Sequence, residues 1–325
     1  MNILILSCGT RSLLVDYFKN RTNGFDKVVV TDCSANSHAL YRADKYYLMP
    51  RMTHPNYLPT LFDICKQEEI NAVLPLQEDE LVLIAEHREE FLARDILPVI
   101  SEPNTINMCR DKYAFYKRMT EIAVPVILTY LTSEADSIIA KCGFPLFMKP
   151  RYGAGSISSY VINNANAIRG NIKNEQKDFI LQPYVDGTEY GVNLYVDFVT
   201  GKLSEVFILE KIRMRAGETE KSISVHDEEI MSIINRICEN VPLLGPIDID
   251  LIKKDGKYYV LEINPRFGGA YPHTHECGVN FIKLIAKNTR NIANDTLKMK
   301  YEDGVVAFRY MAISTMKKED MPYEK

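Results

Sequence analysis

The chain has 325 residues, 46% of them hydrophobic, and a formal net charge of −4. That length and apolar content serve roughly two or three domains or subdomains and exclude a disordered chain. The small charge, with no dense Lys/Arg block and no basic run interleaved with aromatics, argues against nucleic acid as a partner. No apolar span is long enough to cross a bilayer, and the opening MNILILSCGTR lacks a basic region before its short apolar run. No membrane association is therefore expected, and the cytoplasm is the expected location. The seven cysteines, at positions 8, 33, 65, 109, 142, 238 and 277, are odd in number and lack C-x-x-C spacing, which suits reduced thiols better than a disulfide frame or a zinc site.

In chain order, ILILS (3–7), VVVTD (28–32), AVLPL (72–76) and ILPVI (96–100) are short apolar runs separated by helix-compatible segments, the pattern of a parallel α/β unit. Ligands of such sheets bind beyond the carboxyl ends of the strands. This nominates Ser7, Cys8, Gly9, Thr10 and Arg11, then Asp32, then Gln77, Glu78 and Asp79, as crevice residues. Asp32 invites an NAD site, but the first loop reads CGTRSL and lacks G-x-G-x-x-G, so a dinucleotide enzyme stands only as a rival. The α/β rhythm breaks at SEPN (101–104), where a domain boundary is placed. A helix is expected from Asp111 until Pro125 forces extended chain. Lys112 lies in its first turn, where a cation opposes the macrodipole unless an anion is near. Ser133 and Asp136 approximate a capping box for the next helix, which Gly143 ends, and FPLFMKP then forms a buried strand carrying Lys149 at its polar end.

The following RYGAGSISSY offers Gly153 and Gly155 for close backbone approach and Ser156 as a hydroxyl donor, so it can fold over phosphates. It is not a Walker A sequence, and a plain hairpin connection is the alternative. A strand is then expected to reach Gln182, Pro183, Tyr184 and Val185, followed by a turn at Gly187 and an alternating strand from Glu189. Free backbone groups at 183–185 would match an adenine edge, and Glu189 would accept from ribose hydroxyls. Further on, Lys211, Arg213, Arg215 and Lys221 either neutralise transferring phosphate charge or form a solvated basic face on an edge strand. HDEEIMSIINRICENV is an amphipathic helix with Ile230, Ile233, Ile234, Ile237 and Val241 on one stripe.

Chemistry concentrates in IDIDLIKKDGKYYVLEINPRFGG (247–269), two alternating runs around a Lys254-Asp255-Gly256 turn. A two-residue loop would set Asp248 against Ile263 and mix acids with apolar side chains. A three-residue loop ending on a left-handed Gly256 sets Asp248 against Glu262, Ile249 against Leu261 and Ile247 against Ile263, and is the expected register. One face then gathers Asp248, Asp250, Glu262 and Asn264, hard oxygen donors of the kind Mg²⁺ takes. A polar outer face on a half-solvated hairpin is the plain alternative. His273-x-His275, lacking a third ligand, reads as pocket lining rather than zinc.

In this order, Lys112, Lys149, the Gly/Ser loop, the 182–185 hinge, Glu189, Asp248, Glu262, Asn264 and Arg266 resemble the ATP-grasp superfamily. The branch similar to the carbamoyl-phosphate synthetase large chain and related amide ligases shows the E-x-N-P-R found here as EINPR. The resemblance implies a Rossmann-like pre-ATP-grasp domain over 1–105, a small lid subdomain over 106–184 and a large subdomain with the metal site over 185–325. It implies α/β and α+β architecture. Lys112 and Lys149 match the two phosphate cations, and Gln182 stands where members often have Glu. Asp248, Glu262 and Asn264 match ligands of two Mg²⁺ or Mn²⁺ ions, and Arg266 matches the guanidinium that steadies phosphate. The implied reaction is an ATP-dependent joining of a small carboxylate to an amine or thiol through an acylphosphate, with Lys211 and Arg215 placed beside Arg266 as catalytic cations. A half-enzyme acting on bicarbonate or carbamate and a nucleotide binder without turnover remain alternatives, and a homodimer is compatible with each.

Overall fold

Residues 1–153, 158–175, 178–215, 217–295, 297, 299–317 and 321 are described in this computed structural model. The first apolar runs form β1 (Asn2–Leu6), β2 (Lys27–Asp32), β4 (Ile70–Pro75) and β5 (Leu97–Pro98), joined by β3 (Lys45–Leu48) in a parallel sheet of order β3-β2-β1-β4-β5. The sequence reading passed over β3, because KYYL lies at the sheet edge with every side chain half-buried or exposed and so carries no apolar run. Between these strands run α1 (Ser12–Lys19), α2 (Tyr57–Gln67), α3 (Glu78–Glu86) and α4 (Arg88–Leu92). Alternate strand residues feed two cores. Ile3, Ile5, Val28 and Val30 enter one, while Leu4, Leu6, Val29 and Val73 enter the other, as expected of a sheet covered on both faces.

Just after α2, the buried Glu68 carboxylate meets Lys27, Lys45 and the Tyr47 hydroxyl. Burial works against the ionised form, but these three partners outweigh it and hold its pKa down at about 2. A carboxylate depressed in the fold stabilises it fully above its unfolded value and loses that contribution as pH falls through the folded one. Glu68→Gln is therefore expected to cost about 1–3 kcal/mol at pH 7, the gap from wild type narrowing between about pH 4.5 and 2. Urea unfolding across that range reads it, and a pH-independent gap would refute the assignment.

Beyond the first sheet come α5 (Pro103–Arg110) and α6 (Lys112–Glu121). Asp111 caps α6, accepting from the Tyr113 and Ala114 N–H groups at 3.0 and 3.2 Å, and pairs with Arg151. An antiparallel sheet of order β6-β9-β7-β8 follows, built from β6 (Tyr130–Leu131), β7 (Leu146–Pro150), β8 (Tyr160–Ile162) and β9 (Phe179–Pro183). With α7 (Ala135–Cys142) and α8 (Ala165–Glu175) it encloses a small core of Ile138, Leu146, Met148, Ile162, Ile168, Phe179 and Leu181. The expected Ser133 cap of α7 is not used. The helix starts later, after a 3-10 turn over Thr132–Glu134 whose Glu134 accepts the Leu131 N–H at 3.0 Å.

The largest sheet is antiparallel, of order β14-β13-β10-β11-β12-β15, from β10 (Thr188–Val196), β11 (Leu203–Arg215), β12 (Glu218–Ser224), β13 (Gly245–Lys254), β14 (Lys257–Asn264) and β15 (Val306–Phe308). One face buries Val192, Leu194, Val206, Ile208, Ile249 and Leu251 beneath α6 and α9 (Glu228–Asn240), whose predicted isoleucine stripe is buried. The other face carries Tyr195, Phe207 and Leu209 into a core shared with Ile3 and Val28, reinforced by α10 (Tyr271–Glu276) and α11 (Phe281–Thr289). That shared core presses the crevice of the first sheet against one end of the acidic hairpin. The seven cysteines are free thiols, and among the described residues no helix is long and apolar enough to cross a membrane.

Candidate functional site

The hairpin of β13 and β14 turns through Asp255 and Gly256, both left-handed at φ 49° and 76°, with Lys254 opposite Lys257. This two-residue turn corrects the expected three-residue loop and its pairing of Asp248 with Glu262. The pairing leaves the turn in the register that mixes acids with apolar side chains, Leu251 facing Val260. It then shifts at an unpaired Leu261, so that Asp250 faces Glu262, Ile249 faces Ile263 and Asp248 faces Asn264. A bulge inserts one residue and turns every later side chain to the opposite face. Asp248, Asp250, Glu262 and Asn264 consequently share a face, while Ile249, Leu251 and Ile263 are buried on the other.

Behind this row lies β10, with Asn193 opposite Asp248 and Gly191 opposite Asp250. Lys211 of β11 leans over Gly191, where a Cβ would stand 3.5 Å from its Cε, and reaches Asp250 at 2.6 Å and Glu189 at 3.7 Å. Burial opposes the Lys211 ammonium, but Asp250, Asp248 and Glu189 raise its pKa overall. Burial and the neighbouring acids push Asp250 up to about 7 even with Lys211 in contact. Asp248 is likewise raised by burial, with Arg266 and Lys211 opposing. Glu262 goes the other way: burial works against its charge, but Lys149, Lys112, Asn264 and Arg266 hold it low. The Asn193 Nδ2, buried on this acidic face, has no hydrogen-bond partner among the described residues. The sequence reading overlooked Asn193, whose signal was a polar residue inside the alternating run EYGVNLYVD.

Cations approach the row from the small sheet. Burial, helped by Lys112, pulls the Lys149 pKa down to about 8 against the pull of Glu262 and Asp250. Lys112 donates to the Gly153 carbonyl at 2.5 Å, and its own N–H bonds to the Arg151 carbonyl at 3.1 Å, so it anchors the start of the Gly/Ser loop. Gly155 and Ser156 lie outside the described residues. Lys112, Gly153, Glu262, Asn264, Arg266 and Glu78 line one cleft.

At the hinge, the buried Gln182 gives its amide N–H to Thr129 Oγ1 at 2.8 Å. The Tyr184 N–H is committed to the Pro145 carbonyl at 3.1 Å, which corrects the expectation that the whole 183–185 backbone is free. Pro183 ends β9, and no bond to the Val185 N–H is seen among the described residues. Arg215 is not brought to the acids. Its side chain is 68% exposed and pairs with Glu220, as does that of Arg213, and Lys221 lies over the Phe308 ring.

From the first sheet, Glu78 approaches Arg266 at 3.5 Å, and Arg11 donates to the Gly268 carbonyl at 3.1 Å. Gly268 packs so closely on the acidic row that a Cβ there would stand 2.4 Å from Asp248 Cγ. Both histidines make contacts within the fold. His273 bridges Ser222 Oγ at 2.8 Å and the Val305 carbonyl at 3.1 Å, and His275 stacks on Tyr17.

The donors present fit a divalent cation. Three carboxylates and an amide oxygen converge with one direct lysine contact among them, and two of the acids are raised by burial. Among the described residues no three His, Cys, Asp or Glu side chains already close into a metal cage. That openness suits Mg²⁺, which takes one or two carboxylates and completes its shell with phosphate oxygens and water.

Comparison with known proteins bears on the same residues. A family model described as PylC-like, N-terminal domain, matches residues 3–100, and one described as ATP-grasp domain matches residues 109–270. The chain is 22% identical over 242 residues to the arginine-specific carbamoyl phosphate synthase large chain of Geobacillus stearothermophilus, covering 71% of this chain and 22% of that one. It is 24% identical over 231 residues to the D-alanine–D-alanine ligase of Petrotoga mobilis, covering 64% and 76%. The structure of N5-carboxyaminoimidazole synthetase from Staphylococcus aureus matches with a TM-score of 0.72 at 17% identity, over 91% of this chain and 78% of that one, a likeness of fold. The chain thus spans about a fifth of the carbamoyl phosphate synthase large chains it matches. With its acidic hairpin, EINPR segment and flanking lysines inside the matched region, the chain belongs to the ATP-grasp superfamily.

Proposed function

We propose that the chain is an ATP-dependent, ADP-forming ligase that activates a carboxylate as an acylphosphate for attack by an amine or thiol. The observation that carries this reading is the single sheet face holding Asp248, Asp250, Glu262 and Asn264, opposed by Lys149, Lys211 and Arg266. Phosphoryl transfer rests on positioning and charge neutralisation, which explains a site rich in cations and oxygen donors without a conspicuous nucleophile. Lys112 and Lys149 hold the ATP phosphates, Val185 offers its N–H to the adenine edge, and Glu189 accepts from the ribose. Asp248, Glu262 and Asn264 hold Mg²⁺ or Mn²⁺, two ions in all, with Asp250 positioning Lys211. When bound, the cations neutralise the β- and γ-phosphate oxygens. Arg266 steadies the transferred group, and Lys211 supplies further positive charge. The carboxylate oxygen attacks the γ-phosphorus, ADP leaves, and the amine then displaces phosphate from the acyl carbon.

The match to carbamoyl phosphate synthase large chains supports a second reading, in which the activated acid is bicarbonate or carbamate. Two measurements test both. In a thermal-shift panel of ATP, ADP and NAD with and without Mg²⁺, nucleotide at about 100 times its Kd is expected to raise Tm by roughly 5 °C only with metal present. An absence of any metal-dependent ATP effect sinks the assignment. A phosphate-release screen over amino acids, small acids and bicarbonate, each with an amine, then separates the two readings.

A further inference from the structure

Asp248 differs from its neighbours on the acidic row in what holds it. Asp250 accepts from Lys211 at 2.6 Å, Glu262 from the Asn264 amide at 3.3 Å, and the Asn264 oxygen from Arg266 at 3.2 Å. The Asp248 carboxylate accepts no hydrogen bond among the described residues. What it has instead is a wall. The backbone of Gly268 lies so near that a Cβ there would stand within 2.8 Å of its Cγ and both of its oxygens. The placing of that one residue therefore decides which rotamers the short aspartate side chain keeps.

Two side chains of the first sheet grip the segment from Asn264 to Gly268. Glu78, at the start of α3, approaches Arg266 at 3.5 Å, which leaves Gly268 to Arg11. Arg11 donates to the Gly268 carbonyl at 3.1 Å, and the one other donor to that oxygen among the described residues is the Tyr271 N–H, at a long 3.4 Å. The loop that carries Arg11 is itself fixed. Ser7 Oγ donates to Glu80 at 3.0 Å, the Cys8 N–H to the Thr31 carbonyl at 3.1 Å and the Gly9 N–H to Asp32 at 2.9 Å. These contacts lie where the strand order reverses between β1 and β4, the crevice in which open α/β sheets take ligands, and here that crevice braces the neighbouring hairpin. We infer that Arg11 is a positioning residue for the metal: acting through Gly268, it holds Asp248 in the orientation that ligates the cation, so that the first sheet sets the metal affinity of the largest one. This rests on the metal role given to Asp248 in the ligase reading.

Mn²⁺ binding to the whole chain, followed with and without ADP by loss of the free-ion paramagnetic resonance signal, tests it apart from turnover. Arg11→Gln is expected to raise the Mn²⁺ concentration at half-saturation by about 10- to 100-fold, the usual effect of removing a group that orients a metal ligand, while ADP affinity without metal stays within about twofold. Arg11→Met, which keeps the apolar stem but no donor, should do the same. Arg11→Lys still offers a donor to the carbonyl and should return to within about fivefold of wild type. In the Gly268→Ala background Asp248 is already displaced, so Arg11→Gln should add less than about twofold, the non-additivity of residues acting through one contact. The inference is overturned if Arg11→Gln and Arg11→Met bind Mn²⁺ as wild type does, if the full effect repeats on top of Gly268→Ala, or if ADP weakens equally with and without metal, which marks a general loosening of the fold. A change confined to the KM of the acid, with Mn²⁺ binding intact, overturns it too and assigns Arg11 to the acyl substrate. Phosphate release keeps the two readings apart. Mn²⁺ binding that depends on Arg11 without any ATP-dependent turnover removes the ligase and leaves the positioning role, turnover with Mn²⁺ binding indifferent to Arg11 does the reverse, and a wild-type chain that takes up no Mn²⁺ in either condition removes both.

Discussion

Glu262→Gln is expected to lower ATP-dependent turnover by about 10²-fold or more while changing unfolding free energy by no more than about 1 kcal/mol. Glu262 is the acid of the row that its surroundings keep ionised: burial is overcome by Lys149, Lys112, Asn264 and Arg266. Glutamine keeps the shape and can still accept the Asn264 Nδ2–H, which Glu262 Oε1 receives at 3.3 Å. What it removes is the charge. A metal site that loses an anionic ligand holds its cation less tightly, and Lys112 and Lys149 are left facing each other with less negative charge between them. Phosphate release at saturating ATP and the metal dependence of ADP binding should therefore fall together. Asp250→Asn makes a useful contrast, because much of the Asp250 charge is already met by Lys211 at 2.6 Å. Its effect is expected to be smaller and to fall on the carboxylate substrate more than on nucleotide. Near-normal turnover by Glu262→Gln would remove it from the metal site and the acidic face from the mechanism.

The sequence declared some of these features openly and concealed others, for physical reasons. Apolar runs such as VVVTD announce strands because their burial is local and continuous, whereas β3, with half-exposed Tyr46 and Tyr47, has no such signature. The crevice positions of Arg11 and Glu78 followed from the rule for parallel sheets, and both side chains do reach the hairpin. Alternation set Asp248 with Asp250 and Glu262 with Asn264 on one face of their own strands, but the register that joins the two pairs on a common face was chosen through a three-residue turn, and the structure reaches that face by a two-residue turn and a bulge instead. Asp255-Gly256 serves either a two-residue or a three-residue turn, and the bulge at Leu261 appears only when both strands are laid side by side. The segment from Lys211 to Lys221 shows a similar limit. Its cations look equivalent in sequence, yet Gly191 on the neighbouring strand makes room for Lys211, while Arg213 and Arg215 are drawn to Glu220. Cross-strand neighbours made that choice, and no local pattern encodes them.

Gly268→Ala carries the other large expected effect, and it probes Asp248 without touching its chemistry. An alanine Cβ at 268 would stand 2.4 Å from both Asp248 Cγ and Oδ1 and 2.8 Å from Oδ2. Real carbons do not approach so closely, so either the loop carrying the Arg11 anchor or the Asp248 carboxylate must move. Aspartate is short, and rotation about χ1 is the easier escape, which swings the carboxylate off the row. Overpacking of this kind costs about 1–3 kcal/mol of stability. Turnover should fall by about 10²-fold or more, and ADP should lose most of its metal-dependent stabilisation. The double variant Gly268→Ala/Asp248→Ala distinguishes strain from lost ligation. Removing the carboxylate relieves the clash, so the pair should recover part of the stability lost by Gly268→Ala alone, the non-additivity expected of residues in contact. Activity should not recover, because the ligand is then gone altogether. If Gly268→Ala instead kept its metal-dependent nucleotide binding, Asp248 would not be a ligand, and the close packing of Gly268 against it would serve only to seat the loop that Arg11 holds.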